Sequence, residues 1–298
     1  MDVIELERQR RAENGGTAAR TTRPPLAPTS AAQAAASTTA PLLRVCGLAI
    51  GHGDTVIQQR LDFSLVAGEV LVVAGASGCG KSSLLRALIG LDTPMAGQVW
   101  HGDTDFHAAD TATQSRLRQA FGVMFQGGAL WSSMSVGENV MLPLRLFSAL
   151  TLREAEAVAR FKLATVGLGD AFDLAPSALS GGMKKRAAVA RALALDPPLV
   201  FLDEPSAGLD PISSARLDAL VMHLRDLGTG IVMVTHELDS IFAVADRLLF
   251  LDVRERTMTA LGPPLELLAN GPDAVREFLR RGGSSRSPGV SASRGGGS

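Results

Sequence analysis

The amino-acid sequence predicts an α/β fold with a mainly parallel β-sheet and a helical subdomain inserted into it. Short apolar runs alternate with helical segments along the chain, which is the pattern of strands joined by crossover helices. Three of these runs are predicted to be buried strands, at residues 69–74, 199–202 and 231–235. The middle of the chain, at about residues 127–195, contains no comparable run, and this segment is the predicted helical subdomain.

The inserted segment carries the signals with which helices begin. Ser135 is followed three positions later by Glu138, and Thr151 by Glu154. At this spacing, called a capping box, the hydroxyl and the carboxylate each bond to a backbone N–H group that the first helical turn leaves free. The Asp-Pro pair at 210–211 predicts another helix start, because Asp caps a helix and Pro fits its first position.

Composition argues against several classes of protein. The 298 residues include 29 Lys plus Arg and 30 Asp plus Glu, so we expect no extended positively charged surface that binds nucleic acid. The longest apolar stretches, such as residues 70–76, are far shorter than the ~20 residues of a membrane-spanning helix. No apolar core of a signal peptide follows the charged N-terminus, and two cysteines fit a reducing compartment better than a disulfide framework.

The two ends of the chain have the composition of flexible segments. Residues 14–41 are rich in Pro, Gly, Ala and Thr without periodic apolar positions, and the last segment is rich in Gly, Ser and Arg. We therefore expect a flexible N-terminal segment at 1–41, one folded domain at 42–281 and a flexible tail at 282–298. An organellar transit peptide is the alternative for the N-terminal segment, although acidic residues lead it.

A glycine-rich motif follows the first predicted strand. Residues 75–82 match G-x-x-x-x-G-K-[ST], the pattern of a loop that wraps nucleotide phosphates, and a predicted helical segment at 83–91 comes next. Glycines let backbone N–H groups approach the phosphates, and the helix offers its positive N-terminal end. We call residues 75–82 the phosphate loop. The residues expected to contact ATP here are Gly75, Ala76, Ser77, Gly78, Cys79, Gly80, Lys81, Ser82 and Ser83.

Individual side chains of the phosphate loop have distinct expected roles. Lys81 neutralises the β and γ phosphates of ATP, and the Ser82 hydroxyl is placed to ligate Mg²⁺, which prefers oxygen. Cys79 is interpreted as a spacer, because no redox partner lies within reach in the sequence. The alternative for the whole motif is a strand-to-helix turn that binds nothing.

Polar residues also end the other two predicted strands. Asp203 and Glu204 follow the apolar run at 199–202, and His236 follows the run at 231–235. Because ligands bind at the carboxyl edge of such sheets, we expect Asp203 to reach the metal and Glu204 to act as the general base for water. His236 would bond to the γ phosphate or the attacking water. The alternatives are a solvated acid at a strand end and a structural histidine.

A second motif identifies a family. Residues 179–183, Leu-Ser-Gly-Gly-Met, resemble the signature motif of ABC ATPases and come after the phosphate loop and before Glu204. A helix is predicted at 183–195, and the resemblance implies that 42–281 is an ABC nucleotide-binding domain. The resemblance implies a P-loop NTPase (RecA-like) core with a mainly parallel sheet, an antiparallel β part and an inserted helical subdomain. It also implies that Ser180, Gly181 and Gly182 contact ATP held by a second copy of the chain, so that the working form is a dimer.

Further positions are similar to this family one by one. Gln126 resembles the glutamine that touches metal and water, which gives an expected metal-binding set of Ser82, Gln126 and Asp203. The segment 206–210 resembles the loop that connects the two sites of the dimer. His52 occupies the place of the aromatic residue that stacks on adenine, in a chain without tyrosine.

Local features resemble one group of transporters in particular. The signature continues as Met-Lys-Lys-Arg at 183–186, and Gly-Gly-Ala-Leu-Trp at 127–131 follows Gln126. These runs, with 204–212 and 272–279, are similar to the ATPase of Mce-associated lipid transporters of the maintenance-of-lipid-asymmetry type. The resemblance implies phospholipid cargo, a membrane permease, an Mce-domain protein, a small regulatory subunit and a peripheral place on the cytoplasmic face of the inner membrane.

Other interpretations stay open from the sequence. The lysines at 184 and 185 can equally form a solvated helix face, and amino-acid import, lipoprotein release or cell division are alternative systems for such an ATPase. A soluble ABC ATPase that works on ribosomes or DNA is a further alternative, but the sequence shows neither a second cassette nor a coiled-coil insertion. Within the transporter interpretation, residues 127–144 are expected to receive the coupling helix of the permease.

Overall fold

Two β-sheets form the centre of the protein. The structure is a computed structural model, and the residues that it describes are 40–280. The predicted tail at 282–298 and nearly all of the predicted N-terminal segment at 1–41 lie outside these residues. Among residues 40–280, no helix combines the length and the apolar character that crossing a bilayer requires.

The larger sheet has six strands, of which five are parallel. Their order across the sheet is β10-β9-β3-β8-β7-β6, and β10 runs antiparallel to β9. Every residue of β3, β7 and β8 is buried, as expected for aliphatic strands covered on both faces. The three predicted strands are confirmed to within one residue at each end. The strands are β3 (Val70–Gly75), β6 (Phe121–Met124), β7 (Leu199–Asp203), β8 (Gly230–Val234), β9 (Arg247–Asp252) and β10 (Thr257–Gly262).

The smaller sheet is antiparallel and supplies the β part that the family resemblance implies. Its order is β2-β1-β4-β5, with a register shift in β1 where Gly47 adopts a φ of 55°. One face of β1 is buried and the other is exposed, the alternation of a half-covered strand. The strands are β1 (Leu43–His52), β2 (Thr55–Leu65), β4 (Ala96–His101) and β5 (Thr104–Asp105).

Helices α3 (Val136–Phe147), α4 (Leu152–Thr165) and α5 (Gly181–Ala192) lie between β6 and β7. The structure assigns no strand to residues 125–198, as predicted. Both capping boxes are present. At the start of α3, Ser135 N donates to Glu138 Oε2 at 2.7 Å and Glu138 N donates to Ser135 Oγ at 3.1 Å, and Thr151 with Glu154 repeats the arrangement.

The remaining helices cover the sheets, and the side chains of β3 divide the core between two apolar clusters. Val70 and Val72 pack with the helical segment and α6, whereas Leu71 and Val73 pack with α1 and the antiparallel sheet. The helices are α1 (Lys81–Leu88), α2 (Thr111–Gln119), α6 (Pro211–Asp226), α7 (Leu238–Val244), α8 (Pro264–Asn270) and α9 (Asp273–Arg280). β3 is therefore held from both faces, which fixes the position of the phosphate loop that follows it.

Candidate functional site

The carboxyl ends of three neighbouring strands bring the predicted site residues to one edge of the large sheet. Val234 of β8 pairs with Val73 of β3 on one side and with Asp203 of β7 on the other. The segments that follow these strands are therefore adjacent. They contain the phosphate loop, Glu204 and His236.

The phosphate loop requires glycine at its two ends. Gly75 has a φ of 149°, and a Cβ atom there would lie 2.4 Å from the carbonyl oxygen of Leu251. Gly80 has a φ of 97°, and a Cβ atom would lie 2.6 Å from Cγ2 of Ile57. Any side chain at either position would force neighbouring groups apart. The loop is therefore shaped by close contact with β9 and β2.

Helix α1 begins at Lys81, inside the phosphate loop and two positions before the predicted helical segment. No side chain of residues 40–280 caps this helix at Gly80, and its first turn contains no acidic residue. The first N–H groups of a helix have no partner within the helix, so this end is a site for an anion. Ser82 is exposed and Ser83 is half-buried here.

Lys81 folds back over the phosphate loop. Its Nζ atom donates to the carbonyl oxygens of Gly75 at 3.0 Å and Ala76 at 3.2 Å. Residues 76–78 are exposed, whereas Cys79 is only 1% exposed, and burial raises the pKa of its thiol. The loop thus offers a cation and backbone groups on its open side and turns the thiol inwards.

Gln58 anchors the phosphate loop from β2, a contact that sequence reasoning did not predict. The side chain is fully buried, and its Nε2 atom donates to the carbonyl oxygens of Cys79 at 2.8 Å and Asp252 at 2.9 Å. It therefore ties the loop to the end of β9. Gln58 is one of several polar residues in β2, so the sequence neither singles it out nor names its partner.

Asp203 is a buried carboxylate with spare hydrogen-bonding capacity. Burial raises its pKa most, the charge of Glu204 raises it further, and Lys81 opposes both. Within the described residues its Oδ1 atom is buried without a hydrogen-bond partner. A desolvated carboxylate oxygen beside a phosphate loop suits a hard cation that prefers oxygen ligands.

Glu204 and His236 are in direct contact. Nδ1 of His236 lies 2.9 Å from Oε1 of Glu204, while Oε2 of Glu204 is buried and has no hydrogen-bond partner in the described part of the chain. Glu204 has a φ of 50°, and its backbone N–H donates to the carbonyl oxygen of Val234 at 2.8 Å. The glutamate is buried and the histidine is exposed, so the pair lies at the boundary between protein and solvent.

The segment 180–182, which we call the signature turn, opens α5. Ser180 is the N-cap, and its side chain accepts a hydrogen bond from Met183 N at 3.3 Å. The helix begins at Gly181, two residues before the predicted start, because the Ser180 cap already satisfies part of its first turn. Among residues 40–280, no hydrogen bond joins the signature turn to the phosphate loop.

Gln126 and His52 are exposed and lie on different sheets. Gln126 follows β6, which neighbours β7, so it belongs to the same sheet edge as Asp203. His52 ends β1 in the antiparallel sheet. The segment after Gln126 is held by Arg191 of α5, whose guanidinium donates to the carbonyl oxygens of Ala129 at 2.7 Å and Gly128 at 2.9 Å. No sequence pattern indicated this contact.

Comparison with known proteins agrees with this arrangement. The sequence profile of the ABC transporter family matches residues 58–207. The chain is 38% identical over 238 residues to the probable ribonucleotide transport ATP-binding protein mkl of Mycobacterium tuberculosis, covering 80% of this chain and 66% of that one. It is 34% identical over 240 residues to the intermembrane phospholipid transport system ATP-binding protein MlaF of Haemophilus influenzae, covering 80% of this chain and 90% of that one.

Solved structures give the same result. The ATP-binding cassette MJ0796, in a dimeric post-hydrolysis state bound to ADP and Pi, superimposes with a TM-score of 0.68 at 26% identity, over 74% of this chain and 98% of that one. The cbiO1 protein from Clostridium perfringens, part of the ABC transporter complex cbiONQ, gives 0.71 at 26% identity, over 83% and 95%. The chain therefore belongs to the ABC transporter family.

Proposed function

We propose that the protein powers the movement of phospholipid between the inner and outer membranes of a cell. The observation that carries this proposal is the 34% identity to an intermembrane phospholipid transport ATPase, which extends over 90% of that relative's length. The aligned 240 residues are 80% of this chain, so they include α5 and the segment after Gln126, whose sequences carry the resemblance to lipid-transport ATPases. Its proposed partners are a membrane permease, an Mce-domain lipid-binding protein and a small regulatory subunit, at the cytoplasmic face of the inner membrane.

The phosphate loop is proposed to hold the phosphates of ATP. Lys81 already lies over the loop, and among the described residues its hydrogen-bond partners are backbone carbonyl oxygens, so it can turn to the β and γ phosphates without breaking an ion pair. The uncapped start of α1 would hold the same anion through its N–H groups. His52, at the end of β1, is the proposed contact of the adenine ring.

Mg²⁺ is the proposed metal, and the residues present fit it. The unpartnered oxygen of Asp203, the exposed hydroxyl of Ser82 and the exposed amide of Gln126 are oxygen donors of the kind that this ion prefers. When bound, Mg²⁺ would neutralise charge that develops on the phosphate oxygens. The three residues would orient it through their oxygen atoms.

Glu204 is proposed to act as the general base. The water oxygen attacks the γ phosphorus and its proton passes to a carboxylate oxygen of Glu204, while the bond from the γ phosphorus to the bridging oxygen breaks to give ADP and phosphate. The oxygen without a partner, Oε2, is free to accept this proton, and His236 holds the other oxygen. A general base of this kind contributes about 10² to 10⁴ in rate.

The working unit is proposed to be a dimer in which each signature turn covers the phosphate loop of the other copy. Support comes from the signature turn itself, whose helix start has no acidic residue and no hydrogen bond to the phosphate loop of its own described chain. Paired cysteines introduced as Ser77→Cys and Ser180→Cys in a Cys46→Ala background test this geometry. We expect ATP to promote a disulfide between copies, and either cysteine alone is the control. Equal cross-linking with and without ATP would contradict the arrangement.

Transport of ribonucleotide is the second candidate, since the mycobacterial relatives are named for it. The experiment that separates the two is purification of the tagged chain from membranes of its own cells, followed by identification of the proteins and lipids that accompany it. We expect a permease, an Mce-domain protein and phospholipid. Recovery of a solute-binding protein without an Mce-domain protein would reject the lipid proposal, and the Glu204→Gln variant of the recovered complex should fail to move fluorescent phospholipid between vesicles.

A further inference from the structure

Helix α5 contacts the loop that follows β7 through a lysine. The Nζ atom of Lys185 donates to the carbonyl oxygen of Glu204 at 3.0 Å and to that of Ala207. Both acceptors are main-chain atoms of the loop that follows β7. A single ammonium group therefore bridges the signature helix and the loop that starts at Glu204.

The backbone at Glu204 needs such support. Its φ of 50° lies in the left-handed region, which is unfavourable for a residue with a side chain. Unfavourable backbone conformations persist where surrounding contacts determine them. Here the N–H of Glu204 is held by Val234 O at 2.8 Å, and its carbonyl oxygen is held by Lys185. The peptide groups on both sides of the glutamate are thus fixed, one by β8 and one by α5.

Within residues 40–280, the ammonium group of Lys185 donates hydrogen bonds only to these two carbonyl oxygens. Burial lowers its pKa, which the charges of Glu204 and Glu237 oppose, and within residues 40–280 no carboxylate lies within salt-bridge distance of its ammonium. A partly desolvated cation paired only with carbonyl oxygens is costly to keep. The neighbouring Lys184 makes no hydrogen bond or ion pair among the described residues. The contact with the loop after β7 is therefore made by Lys185 and not by the adjacent lysine.

We propose that Lys185 is a positioning residue for ATP hydrolysis. It fixes the backbone of Glu204, and hence the direction of the carboxylate. It also links that direction to α5, the helix that Ser180 caps. A shift of the signature turn on nucleotide binding would then move the loop at 204–207 with it. This inference rests on the proposed role of Glu204 as general base.

The test is steady-state ATP hydrolysis by the full-length chain with substitutions at this helix. Lys185→Met keeps the length of the side chain but removes the donor, and Lys184→Met is the matched control. We expect Lys185→Met to lower kcat about 10- to 100-fold, the scale of a small misplacement of a reacting group, with KM for ATP unchanged. Lys185→Arg, which retains donors, should recover most of the loss, and Lys184→Met should match the natural protein.

A double-mutant comparison separates positioning from a general structural defect. If Lys185 acts through Glu204, the variant with both Glu204→Gln and Lys185→Met should be no slower than Glu204→Gln alone. The proposal would be overturned if the two decreases in kcat multiplied in the double variant. It would also be overturned if Lys185→Met had the same kcat as the unsubstituted protein. If Lys185→Met does not fold, as judged by its thermal transition, Lys185→Gln is measured in the same way, and its shorter reach should also lower kcat.

The same data distinguish this inference from the proposed function. Natural turnover in Glu204→Gln would refute the glutamate as the base, and with it the premise of the inference. Slow turnover in Glu204→Gln together with natural turnover in Lys185→Met would refute the inference alone. Slow turnover in both, with no further loss in the double variant, is the result expected.

Discussion

Nδ1 of His236 lies 2.9 Å from Oε1 of Glu204, and the two residues follow the adjacent strands β8 and β7. This contact orients the carboxylate, because one of its oxygens is held and the other is buried without a partner among the described residues. The histidine is mostly exposed, so it can also turn towards a bound nucleotide. Two strand ends that the sequence separates by about thirty positions therefore form one functional unit.

Replacement of Glu204 by Gln should separate ATP binding from hydrolysis. The amide keeps the size of the side chain but cannot accept the proton of water, so we expect kcat to fall by about 10² to 10⁴. ATP affinity, measured by titration with a fluorescent analogue, should stay within about twofold. Glu255→Gln, at an exposed acid in the turn after β9, is the control and should hydrolyse normally. Unchanged turnover in Glu204→Gln would remove this residue as the base.

Removal of the His236 ring should weaken hydrolysis through the orientation of Glu204. His236→Ala leaves the carboxylate without its partner at 2.9 Å, and we expect kcat to fall about 10- to 100-fold. His223→Ala, in the last turn of α6, removes a histidine from elsewhere and should have no effect on turnover. A loss of equal size in both variants would indicate a general defect instead of a local one.

Asp203→Asn should stabilise the fold while it removes function. Burial, followed by the charge of Glu204, raises the pKa of Asp203 above its ordinary 3.8, so the native state holds this proton more tightly than the unfolded chain does. The native state is therefore penalised progressively as the pH rises above about 3.8, and the penalty is complete once the pH exceeds the raised pKa. Asparagine carries no charge and escapes this penalty.

Thermal unfolding measured as a function of pH checks this prediction. At pH 7 we expect Asp203→Asn to raise Tm by about 2–4 °C for each ~1 kcal/mol of relief. The gain should disappear in acid, where the natural carboxyl group is itself protonated. Asp103→Asn, at an exposed position, is the control and should change Tm little at any pH. Magnesium-dependent ATP hydrolysis should be lost in Asp203→Asn, and a lower Tm at pH 7 would contradict the argument.

Lys81→Ala should weaken nucleotide binding itself. A hydrogen bond to a charged group contributes about 1.5–3 kcal/mol, which corresponds to about a 10- to 150-fold rise in Kd for ATP. Because the hydrogen bonds of Lys81 within residues 40–280 go to carbonyl oxygens of the phosphate loop, its removal breaks no ion pair there and should leave Tm without nucleotide close to normal. Lys184→Ala is the control for loss of a positive charge. Equal affinity in Lys81→Ala and the natural protein would exclude the contact.

The sequence predicted the parts of this structure that local patterns determine. The strands at 199–202 and 231–235 are present because apolar runs of this length are buried strands in a parallel sheet, and the capping pairs at 135 and 151 begin helices as expected. The starts of α1 and α5 were each placed two residues late. The additional residues are Lys81 and Ser82 in α1 and Gly181 and Gly182 in α5. Glycine has a low helix propensity, which concealed the start of α5, whereas in α1 the helix begins inside the glycine-rich motif itself.

The contacts that hold the site in place could not be predicted from the sequence. Gln58 meets a carbonyl group 21 positions away, Lys185 one 19 positions away, and Arg191 one 62 positions away. Each acceptor is a backbone oxygen, which every residue has, so no residue type marks the partner. Such contacts depend on how β2 and α5 pack against the strand ends, and that packing is a property of the whole fold.

Chemical labelling of the two cysteines tests the shape of the phosphate loop. The thiolate is the reactive form, and burial raises the pKa of Cys79, an effect that outweighs the opposing charge of Lys81. Cys79 is therefore both inaccessible and protonated near pH 7, whereas Cys46 is only partly buried. We expect maleimide to modify Cys46 in the folded full-length chain and to modify Cys79 only in denaturant. The variants Cys46→Ser and Cys79→Ser assign each site by mass spectrometry. Rapid modification of Cys79 in the folded protein would mean that the loop opens, and the thiol would then lie among the groups that face the nucleotide.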